Sequence, residues 1–368
     1  MIKEIQYADY KVTEIRGRYV TNGHIQDYLY ELNEAFQLQV LGKSVSGNPI
    51  YTLTVGTGAN RILMWSQMHG NESTTTKAVL DLVNYLKLEL GESKNILQNF
   101  TLKIIPILNP DGAAAYTRVN ANEIDLNRDA QDRSQAESKI LRSVYEEFEP
   151  HYCFNLHDQR TIFNVGRTAK PATVSFLAPA FDEARTVSET RLQSMQVIAA
   201  MNKKLQAHIP GQIGRYNDSF NANCVGDAFQ MLQIPTILFE AGHFPKDYDR
   251  EITREYIGMA LMEALKAISN GDLEKFTLTD YLSIPENQKM FCDILITNAD
   301  VLDTSLEAGA KVGVLYQEKL QKDHIIFKPI LEQREVTEEL LFGHEVKDAS
   351  TSKDRLWLEK QGILSIFT

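Results

Sequence analysis

Three residues with side chains suited to metal binding stand just beyond apolar runs of the sequence. His69 and Glu72 follow the run at 61–68, and a spacing of three at the start of a helix brings both side chains to one side. His157 closes a second apolar run. Two imidazoles and one carboxylate suit zinc and leave a fourth position for water. Because an H-x-x-E pattern is common by chance, the prediction of a catalytic zinc depends on this combination.

Hydrolysis at such a site needs a further carboxylate. A zinc ion lowers the pKa of water towards ~7 and polarises a scissile carbonyl, but another group must carry the proton to the leaving amine. Glu240 ends the apolar run at 234–240 and is the predicted general base and acid. The chemistry expected from these four residues is the hydrolysis of an amide bond.

The elements that must position these residues are buried strands alternating with helices. Apolar runs at 61–68, 101–108, 151–157, 173–180 and 234–240 read as strands. The intervening segments have helical periodicity, with predicted helices following residue 72 and over 135–148, 183–206 and 250–269; Ser134 and Glu137 resemble a capping box for the second of these. In open α/β sheets ligands bind beyond the carboxyl ends of the strands. Asn109 and Asp111, which follow 101–108, are therefore expected at the same edge as the zinc residues.

The segment between Glu72 and His157 carries the strongest signature. Asn-Pro-Asp-Gly at 109–112 and Arg-Val-Asn-Ala-Asn-Glu-Ile-Asp-Leu-Asn-Arg at 118–128 closely resemble motifs of the zinc carboxypeptidases of the funnelin type. With His-Gly-Asn-Glu at 69–72, a histidine after a strand and a late Phe-Glu, five blocks occur in the order of that family. The resemblance covers about residues 40–245 and is specific as a set.

The resemblance implies a role for each matching position. His69, Glu72 and His157 would bind one zinc ion per chain, and Glu240 would be the general base and acid. Arg118 would polarise the substrate carbonyl and stabilise the oxyanion. Asp125 would hold His69, and the mobile tyrosine of the family would be Tyr216. The substrate's terminal carboxylate would be held by Asn127 and Arg128.

Several departures keep a neighbouring activity open. Thr117 and Glu123 replace glycines of the family motif, and Asp158 follows the histidine where the peptidases usually have a small residue. These features resemble the succinylglutamate desuccinylase and aspartoacylase branch, which removes an acyl group from an amino acid. The expected substrate is a peptide or an N-acyl amino acid with a free carboxylate. A third alternative is a peptide-binding module without catalysis, which the presence of Glu240 disfavours.

The predicted fold is α/β, with a mixed twisted sheet flanked by helices over residues 1–272. Beyond this range the runs 276–284, 289–299, 310–317 and 324–331 are short and strand-like, so 273–368 is predicted to be a small β-rich domain without zinc ligands. Val225 and Asp227 are candidates for the lining of the specificity pocket. The sequence does not decide between apolar and basic side chains there.

Composition excludes several classes of function. With a formal net charge of −11, the chain of 368 residues lacks the basic character expected of a nucleic-acid-binding protein. Its three cysteines lie far apart, which argues against a disulfide framework. No apolar run approaches the length of a membrane span, and the first residues lack the apolar stretch of a signal peptide. We therefore expect a cytoplasmic enzyme without a nucleic-acid or membrane partner.

Overall fold

A computed structural model describes residues 5–32, 34–333 and 341–367. The strands are β1 Gln37–Lys43, β2 Pro49–Val55, β3 Asn60–Ser66, β4 Phe100–Ile105, β5 Tyr152–Asp158, β6 Asn164–Val165, β7 Val174–Leu177, β8 Ile213–Arg215, β9 Thr236–Ala241, β10 Asn287–Gln288, β11 Phe291–Thr297, β12 Val312–Gln321, β13 His324–Gln333 and β14 Phe342–Asp348. The α-helices are α1 Asn22–Tyr30, α2 Thr74–Leu86, α3 Glu92–Asn99, α4 Pro110–Ala115, α5 Ala136–Phe148, α6 Glu189–Gln206, α7 Val225–Met231, α8 Glu251–Ser269, α9 Leu278–Leu282 and α10 Ser352–Lys360. None of the helices within the described ranges combines the length and apolar composition that a membrane span requires.

Eight strands form one mixed sheet in the order β1-β2-β4-β3-β5-β9-β7-β8. Its four central strands, β4, β3, β5 and β9, run parallel to one another. On either side, β2 and β7 pair antiparallel with this centre, and β1 and β8 form the edges. The predicted α/β class with a mixed sheet flanked by helices is confirmed.

Both faces of the central strands are covered. In β3, Ile62 and Met64 contribute to the core shared with α2, α6 and α8, whereas Leu63 and Trp65 pack on the opposite face with α5 and α7. All four side chains are fully buried. Because successive side chains of a strand alternate between faces and both faces are apolar here, the strand reads as one continuous apolar run. The helices leave the carboxyl edge of the parallel strands accessible to ligands.

The C-terminal part contains a second, four-stranded sheet in the order β13-β12-β11-β14. The prediction of a strand-like run at 276–284 is wrong, because this segment forms α9. Thr277 caps α9 by accepting from the backbone N–H of Asp280, and Tyr281 is buried in the core of the large sheet. An α-helix, α10, also follows the last strand. The domain boundary at residue 272 stays a prediction.

The predicted capping box at Ser134 and Glu137 is also wrong. The helix begins at Ala136, and the Ser134 hydroxyl donates to Asp129 at 2.8 Å. Glu137 is buried and accepts from the Asn120 amide at 3.3 Å. Both side chains therefore form hydrogen bonds to the loop that precedes the helix, Ser134 to Asp129 and Glu137 to Asn120.

Candidate active site

The three predicted metal ligands converge at the carboxyl ends of β3 and β5. The Nδ1 atom of His69 lies 2.8 Å from Glu72 Oε1, and the Nδ1 atom of His157 lies 2.9 Å from Glu72 Oε2. The two Nδ1 atoms are 3.1 Å apart. Ligand atoms of a tetrahedral zinc site lie about 3.3 Å apart, given zinc–nitrogen bonds of about 2.0–2.1 Å. Among the described residues these three form the group whose donor atoms could hold a metal ion.

The hydrogen bonding of His69 and the protonation of His157 and Glu72 also fit a metal. Nε2 of His69 donates to Asp125 Oδ1 at 3.0 Å, which leaves the Nδ1 lone pair directed at the site. Burial lowers the pKa of His157 and so favours the neutral imidazole that a metal binds. Burial acts to raise the pKa of Glu72, but the two imidazoles outweigh it and hold that pKa well below its usual range. The residues present therefore fit a zinc ion.

The turn between β3 and α2 is held by close backbone packing. Gln67 has a left-handed backbone with φ of 44°, and its amide donates to the carbonyls of Val20 and Gly70. Gly70 lies so close to the backbone of Gly112 that a Cβ atom at this position would overlap it. The glycines of the two predicted motifs thus pack on each other. This contact fixes the direction in which the two ligands before α2 point.

Asp158 and Arg250 brace the strand ends beneath the site, and neither had been assigned this role from the sequence. The backbone N–H of Asp158 donates to Glu72 Oε2 at 3.1 Å, while its carboxylate accepts from the first two backbone N–H groups of α2 at 2.9 and 3.2 Å. Arg250 is buried and donates to the carbonyls of Ala241 and Gln159, both at 2.6 Å. For Asp158 the sequence offered one indication, namely that an aspartate follows the histidine where the peptidases usually have a small residue. Arg250 stands beside no motif.

Glu240 lies directly beside the metal ligands. In the parallel pairing of β5 with β9 it is the register partner of His157, so the two side chains share a face of the sheet. Its Oε2 atom is buried and has no hydrogen-bond partner among the described residues. Burial, followed by the charges of Glu72 and Asp158, raises the pKa of Glu240 well above its usual range. A carboxyl group with a raised pKa beside a metal set is suited to exchange protons.

Arg118 lies beside the ligand set, in contact with Asp125 and Glu72. Its Nε donates to Asp125 Oδ2 at 3.0 Å, and its Nη1 is 3.4 Å from Glu72 Oε1. The side chain is 48% exposed, so a substrate can reach it. Asp125 therefore links the arginine to His69 and fixes the relative position of both.

One cavity of about 380 Å³ contains all eight predicted site residues. Its lining includes the metal ligands, Glu240, Arg118 and a polar far end formed by Asn127, Arg128 and Asp227. Asn127 is held by accepting from the backbone N–H of Val225 at 3.0 Å. Tyr216 is half-buried in the wall beside Phe163, with ring centroids 5.3 Å apart. We call this space the metal cavity.

Three residues proposed from the sequence lie elsewhere. Asp111 accepts from Ser44 and Asn48 and holds the β1–β2 turn, and Asn109 caps α4 by accepting from the N–H of Gly112. Both are therefore structural, because side-chain and backbone groups of the adjacent loops engage their polar atoms. Val225 packs in the core between α7 and the sheet, so of the two pocket candidates only Asp227 contributes to the cavity.

Comparison with known proteins finds a similarity to zinc carboxypeptidases over part of the chain. Residues 25–152 match the family model described as zinc carboxypeptidase, peptidase family M14. Carboxypeptidase SOL1 of Arabidopsis thaliana is 31% identical over 135 residues, which are 33% of this chain and 27% of that protein. Probable carboxypeptidase 2 of Arthroderma benhamiae is 26% identical over 152 residues, 40% and 27% of the respective chains. The chain thus spans about a quarter of the length of these relatives.

Solved structures share the fold at low sequence identity. A metallo-carboxypeptidase from Burkholderia cenocepacia superposes with a TM-score of 0.54 at 18% identity, covering 68% of each chain. Carboxypeptidase A from Helicoverpa armigera gives a TM-score of 0.56 at 17% identity, covering 73% of this chain and 78% of that one. Residues 25–152, which match the family model, contain the His-Gly-Asn-Glu, Asn-Pro-Asp-Gly and Asp-Leu-Asn-Arg blocks. Over residues 25–152 the chain is similar to the zinc carboxypeptidase family.

Proposed function

We propose that this protein is a zinc metallocarboxypeptidase that hydrolyses the C-terminal amide bond of a peptide. The observation that carries the proposal is the metal cavity, in which a His-Glu-His set, an unpaired carboxyl and two arginines lie together. A zinc ion bound by His69, Glu72 and His157 would polarise the scissile carbonyl and increase the acidity of a water molecule. The chain's own side chains would supply orientation and proton transfer.

Two positions of the cavity suit the two charges of the reaction. Arg128 and Asn127 at its far end would bind the terminal carboxylate, for which a guanidinium offers paired donors. Arg118, beside the metal ligands, would donate to the oxygen that becomes negative as the carbonyl is attacked. A substrate held at both ends presents its last amide bond between these arginines.

Glu240 would carry the proton. Its buried Oε2 has no other partner, and its register with His157 sets it against the reacting centre. As a carboxylate it would take a proton from the attacking water, and it would then return that proton to the leaving amine. Tyr216 lines the wall of the same cavity and would cover the bound substrate.

The alternative from the sequence is an N-acyl-amino-acid deacylase that uses the same residues. A substrate screen with zinc-loaded protein separates the two activities. Peptides of three to eight residues and N-acetyl or N-succinyl amino acids would be incubated in parallel, and released amino acids would be measured by mass spectrometry. We expect successive loss of C-terminal residues from the peptides. Release only from the N-acyl amino acids would replace the carboxypeptidase with a deacylase, and no release from either set would refute both.

A further inference from the structure

A second cavity adjoins the metal cavity on the side of the C-terminal sheet. It has a volume of about 360 Å³, and its wall includes residues 315–318, Phe327 and Ile330 of the β12–β13 hairpin. We call it the hairpin cavity. The two cavities share four lining residues, Glu72, Asp158, Gln159 and Arg160, whereas the proposed carboxylate-binding end lies in the metal cavity alone. A substrate anchored at that end would therefore extend its acyl side past the metal ligands into the hairpin cavity.

The buried charged side chains of the hairpin cavity hold its walls together. Glu318 of β12 pairs with Arg18 at 2.9 Å and also accepts from the Tyr116 hydroxyl, which ties the hairpin to the catalytic part of the chain. Arg250 is likewise buried and lies 3.8 Å from Asp158. Each of these two arginines is thus matched by a carboxylate. This part of the wall therefore gives no reason to expect selection of a ligand by its charge.

Three aromatic rings form an apolar part of the same wall. Tyr316 precedes Glu318 by two residues in β12, and Phe327 is the register partner of Glu318 in β13, so these side chains share the face of the hairpin that meets the catalytic part of the chain. The ring of Tyr248, which lies between β9 and α8, contacts both, with centroids 5.3 Å from Tyr316 and 5.2 Å from Phe327. All three side chains are partly buried and line the cavity.

Asp293 of β11 fixes this aromatic wall. Its Oδ1 atom accepts from the Tyr248 hydroxyl at 2.9 Å, and its Oδ2 atom accepts from the backbone N–H of Tyr316 at 2.8 Å. The carboxylate itself is buried. Because the hydroxyl of Tyr248 is engaged in this way, what this residue offers to a ligand is its ring. The wall is also ordered before a substrate binds, which lowers the entropic cost of binding.

We propose that the hairpin cavity binds the acyl side of the substrate and selects an aromatic side chain there. The preferred substrate carries that side chain on the residue directly before the scissile bond, where it contacts the rings of Tyr248, Tyr316 and Phe327. Aromatic rings attract one another in offset or edge-to-face arrangements, and the burial of apolar surface adds to this attraction. This inference rests on the proposed function, because it assumes that the carboxyl side of the substrate occupies the metal cavity. The C-terminal sheet then contributes to specificity, since two of the three rings belong to its hairpin.

The test compares two substrates that differ only in that side chain. N-acetyl-Phe-X and N-acetyl-Ala-X, with X the C-terminal residue that the enzyme accepts best, would be assayed for kcat/KM with the zinc-loaded full chain. The burial of a phenyl ring against protein rings corresponds to a preference of about tenfold or more over a methyl group, so we expect the Phe substrate to be favoured to that extent. The preference should persist at high salt concentration, because it does not depend on charge.

Two variants that each remove one ring should reduce the preference. Phe327→Ala and, independently, Tyr316→Ala should lower the Phe-to-Ala ratio by about three- to tenfold, the range expected for one ring–ring contact. Phe327→Leu retains an apolar side chain and should keep a larger ratio than Phe327→Ala. A merely structural defect would slow both substrates equally and leave the ratio unaltered. Tyr30→Ala, at an exposed aromatic residue outside both cavities, is the matched control and should keep the native ratio.

The outcomes separate this inference from the proposed function. Release of X from both substrates with a native ratio within twofold of one would overturn the aromatic subsite and leave the carboxypeptidase intact. A native preference that neither ring variant reduces would also overturn it, because the hairpin would then not be its source. Release of X from neither substrate would refute the proposed function, and the subsite would fall with it.

Discussion

Replacement of Glu240 by glutamine isolates proton transfer from every other function of the metal cavity. The substitution preserves the size and polarity of the side chain but removes the base. Glu240 lies in register with His157, and its Oε2 atom has no partner that the change would leave unsatisfied. Zinc and substrate should therefore still bind, whereas kcat should fall.

The substitution should change the rate and the stability of the protein in different ways. A positioned general base contributes about 10²–10⁴-fold to a rate, which corresponds to about 2.7–5.5 kcal/mol of transition-state free energy. Stability should change in the opposite sense. Burial, followed by the negative charges of Glu72 and Asp158, raises the pKa of the Glu240 carboxyl, so ionising this group costs stability and a neutral amide avoids that cost. We expect a Tm equal to or above that of the native protein.

The assay measures kcat and KM on the best peptide substrate, together with zinc content and Tm. Glu149→Gln is a matched control, because this glutamate has a side chain 80% exposed and lies outside the metal cavity. A fall in turnover of less than about tenfold, with zinc content unchanged, would refute the assignment of Glu240 as the base. Asp158 and His243 would then be tested in its place.

Three further predictions concern the metal and the cavity. His157→Ala should reduce zinc from about one ion per chain to a small fraction by elemental analysis, and full retention would contradict the ligand assignment. Asp125→Asn weakens the hydrogen bond that orients His69 and should lower zinc affinity about 10–100-fold in a chelator competition; unchanged affinity would show that Asp125 does not orient the ligand. Burial raises the pKa of Asp227 to about 7, so the folded state retains a proton that the unfolded state loses above about pH 4. The contribution of Asp227 to stability should therefore fall as pH rises from about 4 to 7, and between about pH 5 and 8 the native protein should lose about 2–3 kcal/mol relative to Asp227→Asn in urea unfolding; parallel pH profiles would contradict this.

The sequence predicted the parts of the fold that depend on local pattern. Continuous apolar runs identified the central parallel strands, because each of these strands is covered on both faces. In β3, for example, Met64 packs into the core on one face and Leu63 into the core on the other. The positions just beyond those runs placed His157 and Glu240 at one edge, since parallel strands end together, but the same argument was wrong for Asn109 and Asp111. Helices with a clear apolar period, such as α2 and α8, were predicted for the same reason.

What the sequence did not predict depends on partners that are distant along the chain. The segment 276–284 has the composition of a strand but becomes a helix, because Tyr281 packs into the core of the large sheet. Asp111 has the type of a catalytic residue, yet serine and asparagine side chains of the β1–β2 turn engage it. Neither outcome is visible in the residues around these positions.

A group of charged residues beside the C-terminal sheet illustrates the same limit. Arg18 and Arg250 are more than two hundred positions apart in the sequence, and Glu318 lies sixty-eight positions after Arg250. The three residues come together only when the C-terminal sheet packs beside the metal cavity. None of them belongs to a motif. Charge patterns along the chain give no indication that both arginines are buried in the lining of one cavity.

The central claim is that the enzyme removes a residue that carries a free terminal carboxylate, and one comparison tests it most directly. A peptide and its C-terminally amidated form would be incubated with native protein, with Arg128→Ala and with Arg167→Ala as a surface control, and kcat/KM would be measured by mass spectrometry. Two charge-assisted hydrogen bonds of about 1.5–3 kcal/mol each predict a preference of at least about a hundredfold for the free acid in the native and control proteins. Arg128→Ala should abolish that preference. Equal rates on the acid and the amide with native protein would contradict the account.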